Sequence, residues 1–217
     1  MTSTGTLSFV HEFAPATAAD QPILLLLHGT GGDERDLLPI GRTLAPSAAL
    51  LSPRGKVLEG GAPRFFRRLA EGVFDLEDLA VRTEELADFV TRAAAHYGFN
   101  PARVIAVGYS NGANIAASVL LRRPTVLMAA MLFRPMVPFE PALTPDLQHV
   151  RVFIASGRRD PIVPPGQPER LRQLLASAGA AVTIHWHAGG HELGDDDVQA
   201  ARHWLDAASA SFAPVQA

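Results

Sequence analysis

Apolar residues in this chain gather into short runs separated by longer amphipathic stretches, and the two periods differ. Ile23 to His28 reads Ile-Leu-Leu-Leu-Leu-His with no alternation. Such a run predicts a strand buried on both faces of a parallel sheet. Further strands are predicted over Ala49–Ser52, Arg103–Tyr109, Ala129–Phe133, Val150–Ser156 and Val182–His187, with Leu7–Phe13 as an edge strand. Between them the period lengthens. Leu76–Tyr97 carries Leu79, Leu86, Phe89, Val90 and Ala93 at helical spacing. Helices are also predicted over Asp33–Leu44, Ser110–Leu121, Glu169–Ser177 (ended by Gly179) and Asp195–Ala208, whose first turn is acidic, as a helix dipole favours. Ala14–Pro22 reads as a turn. Pro53–Phe74 reads as a glycine-rich loop with a short helix near Phe65, and the tail beyond Phe212 as frayed.

Strands alternate with helices throughout. The pattern predicts an α/β fold: a mostly parallel central sheet of about seven strands with helices on both faces. Functional groups are then expected at the carboxyl ends of the strands. At 217 residues one domain spanning 1–217 is expected, with enough chain for a sizeable core.

Composition narrows the class. Hydrophobic residues make up 47% and charged residues 19%, as in a folded globular chain rather than a disordered one. The net charge is −3 and the basic residues form no long runs, so nucleic acid is not an expected partner. The absence of cysteine excludes disulfides, a thiol nucleophile and thiolate metal sites, and suits a reducing compartment. Met1-Thr2-Ser3-Thr4-Gly5 lacks the basic-then-apolar pattern of a signal peptide, and Ile23–Leu27 is too short to span a bilayer. A cytoplasmic protein without stable membrane insertion is expected. A homodimer is carried as an optional assembly.

One motif carries chemistry. Gly108-Tyr109-Ser110-Asn111-Gly112 follows the strand Arg103–Val107 and precedes a helix. A serine hydroxyl is a poor nucleophile and must be held clear of the sheet beside a base. A strand–serine–helix turn does this, and glycine two residues either side removes side chains that would clash. The pentapeptide alone also fits an ordinary glycine-rich turn, so the base and the acid must come from elsewhere. Asp160, in Gly157-Arg158-Arg159-Asp160-Pro161, follows its own strand, although an Asp before proline often only opens a turn. Asp146 and Glu140 lie in a proline-rich loop and are weaker candidates. His191 sits on the loop Ala188-Gly189-Gly190-His191-Glu192, after the last predicted strand. The chain order Ser110, Asp160, His191 is that of the α/β-hydrolase fold. Upstream, His28-Gly29-Thr30-Gly31-Gly32 follows the first buried strand. Its glycines allow close backbone approach, so the N–H groups of Thr30 and Asn111 are candidate oxyanion donors.

Other features support looser readings. Phe65, Phe66 and Phe74, with the arginines of Arg64-Phe65-Phe66-Arg67-Arg68, suggest an aromatic and basic lid over substrate. Arg134 and Met136 follow a strand and are expected to line a pocket. His185, His187 and His191 could be read as metal ligands, but no carboxylate has clear ligand spacing, so no metal is expected.

Taken together, Leu27-His28-Gly29, Ser52-Pro53-Arg54, Gly108-Tyr109-Ser110-Asn111-Gly112, Asp160-Pro161-Ile162-Val163-Pro164 and Gly190-His191 resemble the phospholipase/carboxylesterase family of small α/β-hydrolases, which includes the acyl-protein thioesterases. The resemblance implies a compact hydrolase with no separate cap domain and no cofactor. It implies Ser110 as nucleophile, His191 as base, Asp160 as its orienting acid, and Thr30 and Asn111 as oxyanion donors. Thioesterase-like members carry Gln after the serine and Leu after His-Gly, where this chain has Asn111 and Thr30. The Phe65-Phe66 loop also replaces a Trp-containing segment. These departures argue away from lipidated-protein substrates and toward the bacterial carboxylesterase branch that includes enzymes associated with hydroquinone and other aromatic stress. The expected activity is serine-dependent hydrolysis of small esters with an aromatic or short acyl part. A thioesterase, a lysophospholipase and a ligand-binding protein on a hydrolase scaffold are the competing readings.

Overall fold

The computed structural model describes residues 7–209. The strands are β1 (His11–Ala14), β2 (Ile23–Leu27), β3 (Ala49–Pro53), β4 (Val57–Glu59), β5 (Ala62–Arg64), β6 (Arg68–Ala70), β7 (Val73–Phe74), β8 (Val104–Tyr109), β9 (Ala129–Phe133), β10 (Arg151–Gly157) and β11 (Ala181–His187). The helices are α1 (Leu38–Leu44), α2 (Leu76–Tyr97), α3 (Asn111–Arg122), α4 (Gln167–Ser177) and α5 (Asp195–Ser209). Seven strands form the central sheet in the order β1-β3-β2-β8-β9-β10-β11. Only β1 runs antiparallel, against β3; the other pairings are parallel.

The unbroken aliphatic run of β2 serves two cores at once. Ile23, Leu25 and Leu27 pack with α2, α3 and α4, while Leu24 and Leu26 point to the face covered by α1 and α5. Alternation is absent from the sequence because neither face meets water. α2 starts on an Asp75 cap that accepts from the Asp78 N–H, and ends at Gly98 with φ 74°. Both ends follow ordinary capping chemistry. Among the described residues, no helix is long and apolar enough to cross a membrane.

Three local expectations are corrected. The edge strand begins at His11 rather than Leu7; Phe9 instead turns inward, buried against Phe89 of α2 at a ring distance of 4.9 Å. The first helix begins at Leu38, not Asp33. Pro39 is tolerated in a first turn, but a helix begun at Asp33 would put it in the interior, where it removes a hydrogen bond and clashes. No helix forms near Phe65. The segment folds into two small hairpins, β4–β5 and β6–β7, turning at Gly60-Gly61 and at Gly72. These three glycines hold φ of 58°, 89° and 72°, where a side chain is strained. The expected tail beyond Phe212 lies outside the described residues.

Candidate active site

Each candidate group stands just beyond the carboxyl end of its strand. Ser110 follows β8 with φ 52° and ψ −111°, in a region that costs a non-glycine residue about 1–3 kcal/mol. Its N–H donates to the Phe133 carbonyl at 2.8 Å, and its own carbonyl accepts from Asn114 N, opening α3. The flanking glycines are obligatory for steric reasons. A Cβ on Gly112 would fall on the Leu27 and His28 carbonyls, and one on Gly108 would sit 2.6 Å from the Gly112 oxygen.

Asp160 leaves β10 through a turn in which its Oδ1 accepts from Ile162 N at 2.8 Å and Val163 N at 3.0 Å. Its Oδ2 is left for His191, whose Nδ1–H donates to it at 2.8 Å. On the other side of the ring, Nε2 accepts from the Ser110 hydroxyl at 2.9 Å. Three residues far apart in sequence thus form one continuous hydrogen-bonded chain. The loop carrying His191 approaches closely because Gly157 has no side chain; a Cβ there would collide with the Gly189 and Gly190 carbonyls. Arg158 N and Arg159 N donate to His187 O and Gly189 O, both at 3.0 Å, and bind the acid's turn to the histidine's loop.

The glycine turn after β2 lies across from α3. Gly31 N and Gly32 N are committed to Pro63 O and Gly29 O. By contrast, the N–H groups of Thr30 and Asn111 have no partner among the described residues. His28 anchors this turn from below. It is buried, its Nδ1–H donates to Gly29 O at 2.6 Å, and its Nε2 accepts from Gly55 N at 2.9 Å. Burial pushes its pKa below the ordinary 6.5, more strongly than the Gly29 bond and nearby carboxylates raise it, so the ring is held neutral.

A depression of about 40 Å³ opens beside Ser110. Phe74 and Met136 line it, together with Thr30, Arg64, Arg68 and Asn114. Phe65 and Phe66 do not. They are 1% and 0% exposed and belong to the core, with Phe65 packed on the His28 ring and Phe66 edge-on to Phe74. The lid reading of these two rings is therefore corrected: they anchor the hairpins from beneath, and Arg64 and Arg68, on either side of them, face the site. Arg64 donates to Thr30 Oγ1 at 2.6 Å and to Phe66 O at 3.2 Å, and Arg68 pairs with Glu59. The Asn111 side chain holds the same loop by accepting from Phe65 N at 2.7 Å.

Arg134 is also relocated. It is fully buried in an ion pair with Asp197 and does not line the depression. As for the histidine strand, His187 bonds Gly190 O and Gly189 N, and among the described residues no three His, Asp or Glu side chains gather as a metal would require. The sequence reading missed Tyr109, whose hydroxyl donates to His191 O at 3.0 Å. Its position inside the serine motif, next to the nucleophile, was the available signal.

The chain is 52% identical over 182 residues to MhqD of Bacillus subtilis (strain 168), a protein named for a hydrolase, covering 84% of this chain and 91% of that one. The crystal structure of a Bacillus cereus carboxylesterase superposes with a TM-score of 0.91 at 48% identity, over 93% of this chain and 95% of that one. A carboxylesterase from Mesorhizobium loti follows with a TM-score of 0.87 at 34% identity, over 92% and 95%. These likenesses match the bacterial carboxylesterase branch that the motifs resemble, and the fold is the α/β-hydrolase fold. Residues 66–208, which include Ser110, Asp160 and His191, match the family model described as the Dienelactone hydrolase family, and the chain belongs to that family.

Proposed function

We propose that this hydrolase is a serine carboxylesterase acting on small carboxylic esters with an aromatic or short acyl part. The observation that carries the reading is the unbroken hydrogen-bonded chain from Ser110 Oγ through both nitrogens of His191 to Asp160. In this reading Ser110 Oγ attacks the ester carbonyl as its proton passes to His191 Nε2. Asp160 keeps the ring in the Nδ1–H tautomer and offsets the charge of the imidazolium. The unpartnered N–H groups of Thr30 and Asn111 receive the negative charge on the carbonyl oxygen, each donor being worth about 3 kcal/mol in comparable sites. The C–O bond to the alcohol then breaks and His191 returns the proton to the departing oxygen. Water, deprotonated by His191, attacks the acyl-serine. Its collapse frees the acid and restores Ser110. Only substrate and water enter these steps.

Phe74 and Met136 give the depression beside Ser110 an apolar wall against which a small acyl or aromatic group can rest. The test is turnover of a p-nitrophenyl ester series from acetate to long-chain acyl groups, wild type beside Ser110→Ala. The expected result is an optimum at short acyl lengths and loss of turnover in the variant. Preference for long-chain lipids or thioesters over every small ester would reject the substrate class.

A further inference from the structure

A fully buried ion pair is costly to desolvate and needs compensation. Arg134 and Asp197 form such a pair, with both side chains at 0% exposure. Their pairing is bidentate, with Arg134 Nη2 to Asp197 Oδ2 at 2.6 Å and Nη1 to Oδ1 at 3.2 Å. Asp197 also accepts from Gly194 N at 3.1 Å, and these bonds outweigh the effect of burial and hold its carboxyl below the usual range. The guanidinium reaches further. Nε donates to Gly190 O at 3.2 Å and Nη2 to Glu192 O at 2.6 Å. The intervening carbonyl, that of His191, accepts from the Tyr109 hydroxyl. Three successive carbonyls centred on His191 are therefore held by two side chains.

The loop needs that hold. Its Gly189-Gly190 pair leaves the backbone free to sample many conformations, and no regular secondary structure spans residues 188–194. The imidazole's own bonds go to Ser110 and Asp160, reacting groups whose contacts change during turnover. Arg134 also sits on the nucleophile's side of the site. It follows β9 with φ 59°, and the residue before it, Phe133, gives its carbonyl to Ser110 N. One dipeptide thus touches both the serine's backbone and the histidine's loop.

We propose that Arg134, fixed by Asp197, and Tyr109 are positioning residues that set the His191 imidazole against Ser110; this rests on the serine-hydrolase reading above. Other titratable groups border the clamp without replacing it: His185 Nε2 lies 3.9 Å from Asp197, His187 Nε2 meets Gly190 O, and Glu192 Oε1 accepts from Gly190 N. Burial raises the Tyr109 phenol above its usual range, so it stays a donor.

The test measures kcat and KM on p-nitrophenyl acetate, with near-ultraviolet circular dichroism as the check of fold. Arg134→Met with Asp197→Leu removes the pair together, so no lone charge is buried. Misplacing a catalytic group by about 1 Å costs about a hundredfold in rate. The folded double variant is expected to lose tenfold to a hundredfold in kcat with KM within about threefold. Tyr109→Phe, which deletes one hydroxyl, is expected to lose about fivefold in kcat, also without a change in KM. A folded double variant with kcat within twofold of wild type overturns the proposal. If the double variant does not fold, an unchanged kcat in Tyr109→Phe overturns it. Ser110→Ala is run alongside: if that variant keeps its activity, the serine-hydrolase reading itself fails, and the clamp falls with it.

Discussion

Replacing Phe65 by alanine separates a structural ring from a substrate contact. Phe65 is 1% exposed and packs on the His28 ring at 4.7 Å, beneath the hairpins that carry Arg64 and Arg68. Its backbone bond to Asn111 Oδ1 survives the substitution, so the change isolates the ring. Truncating a buried Phe to Ala typically costs about 3–5 kcal/mol, because transfer free energy is lost and the cavity refills only in part. With a urea m-value of about 2 kcal/mol/M, a loss of about 4 kcal/mol lowers the unfolding midpoint by about 2 M. A domain stable by about 5–15 kcal/mol can absorb this and still be assayed. Urea titration followed by the fluorescence of Trp186 and Trp204 reads the midpoint, with KM for p-nitrophenyl acetate measured in the absence of urea. Both tryptophans lie far along the chain from the hairpins, so they report the global transition. An unchanged midpoint with KM raised tenfold would refute the placement of this ring in the core.

Three further outcomes are expected. Ser110→Ala should reduce turnover by about four to six orders of magnitude, since removing one member of a triad costs nearly as much as removing the whole; stopped assays on ester and on hydroxylamine-trapped acyl-enzyme check it. Gly112→Ala should abolish activity and lower the melting temperature, because the added methyl meets the Leu27 and His28 carbonyls, which are backbone and cannot move aside. His28 should give stability a pH dependence. Its folded pKa lies below the ordinary 6.5, so near and below that pH the unfolded chain binds the proton and the folded one does not. The contribution is complete above about pH 6.5 and is lost as pH falls, by at most about 1.4 kcal/mol per pH unit, until the folded ring itself protonates. Denaturation curves from pH 8 to 5 should show a shallower fall for His28→Asn than for wild type; identical slopes would contradict the buried neutral ring.

Much of this arrangement was legible in the chain because it depends on local stereochemistry. A strand buried on both faces must be apolar at every position, and Ile23–Leu27 is. A serine on a strained turn needs glycine at both flanks, and Gly108 and Gly112 occupy those positions. Parallel connections carry the carboxyl ends of the strands they join to the same edge of the sheet, so three polar residues that each follow such a strand are candidates to meet. Ser110, Asp160 and His191 do so within hydrogen-bonding distance.

Tertiary structure alone decided which way the remaining side chains face. Phe65 and Phe66 resemble a lid in sequence because arginines flank the aromatic pair on both sides. Their rings turn inward because His28, Phe74 and the core offer apolar surface that solvent does not, while Arg64 and Arg68 are left facing the site. Arg134 follows a strand just as a pocket residue would. Its fate was set by Asp197, sixty-three positions away, because a buried guanidinium goes where a carboxylate and free carbonyls can satisfy its donors. Backbone periodicity and glycine placement are properties of neighbouring residues, and the sequence by itself determined them. Burial and ion pairing are properties of the packed chain, and they existed only once the sheet had brought its edges together.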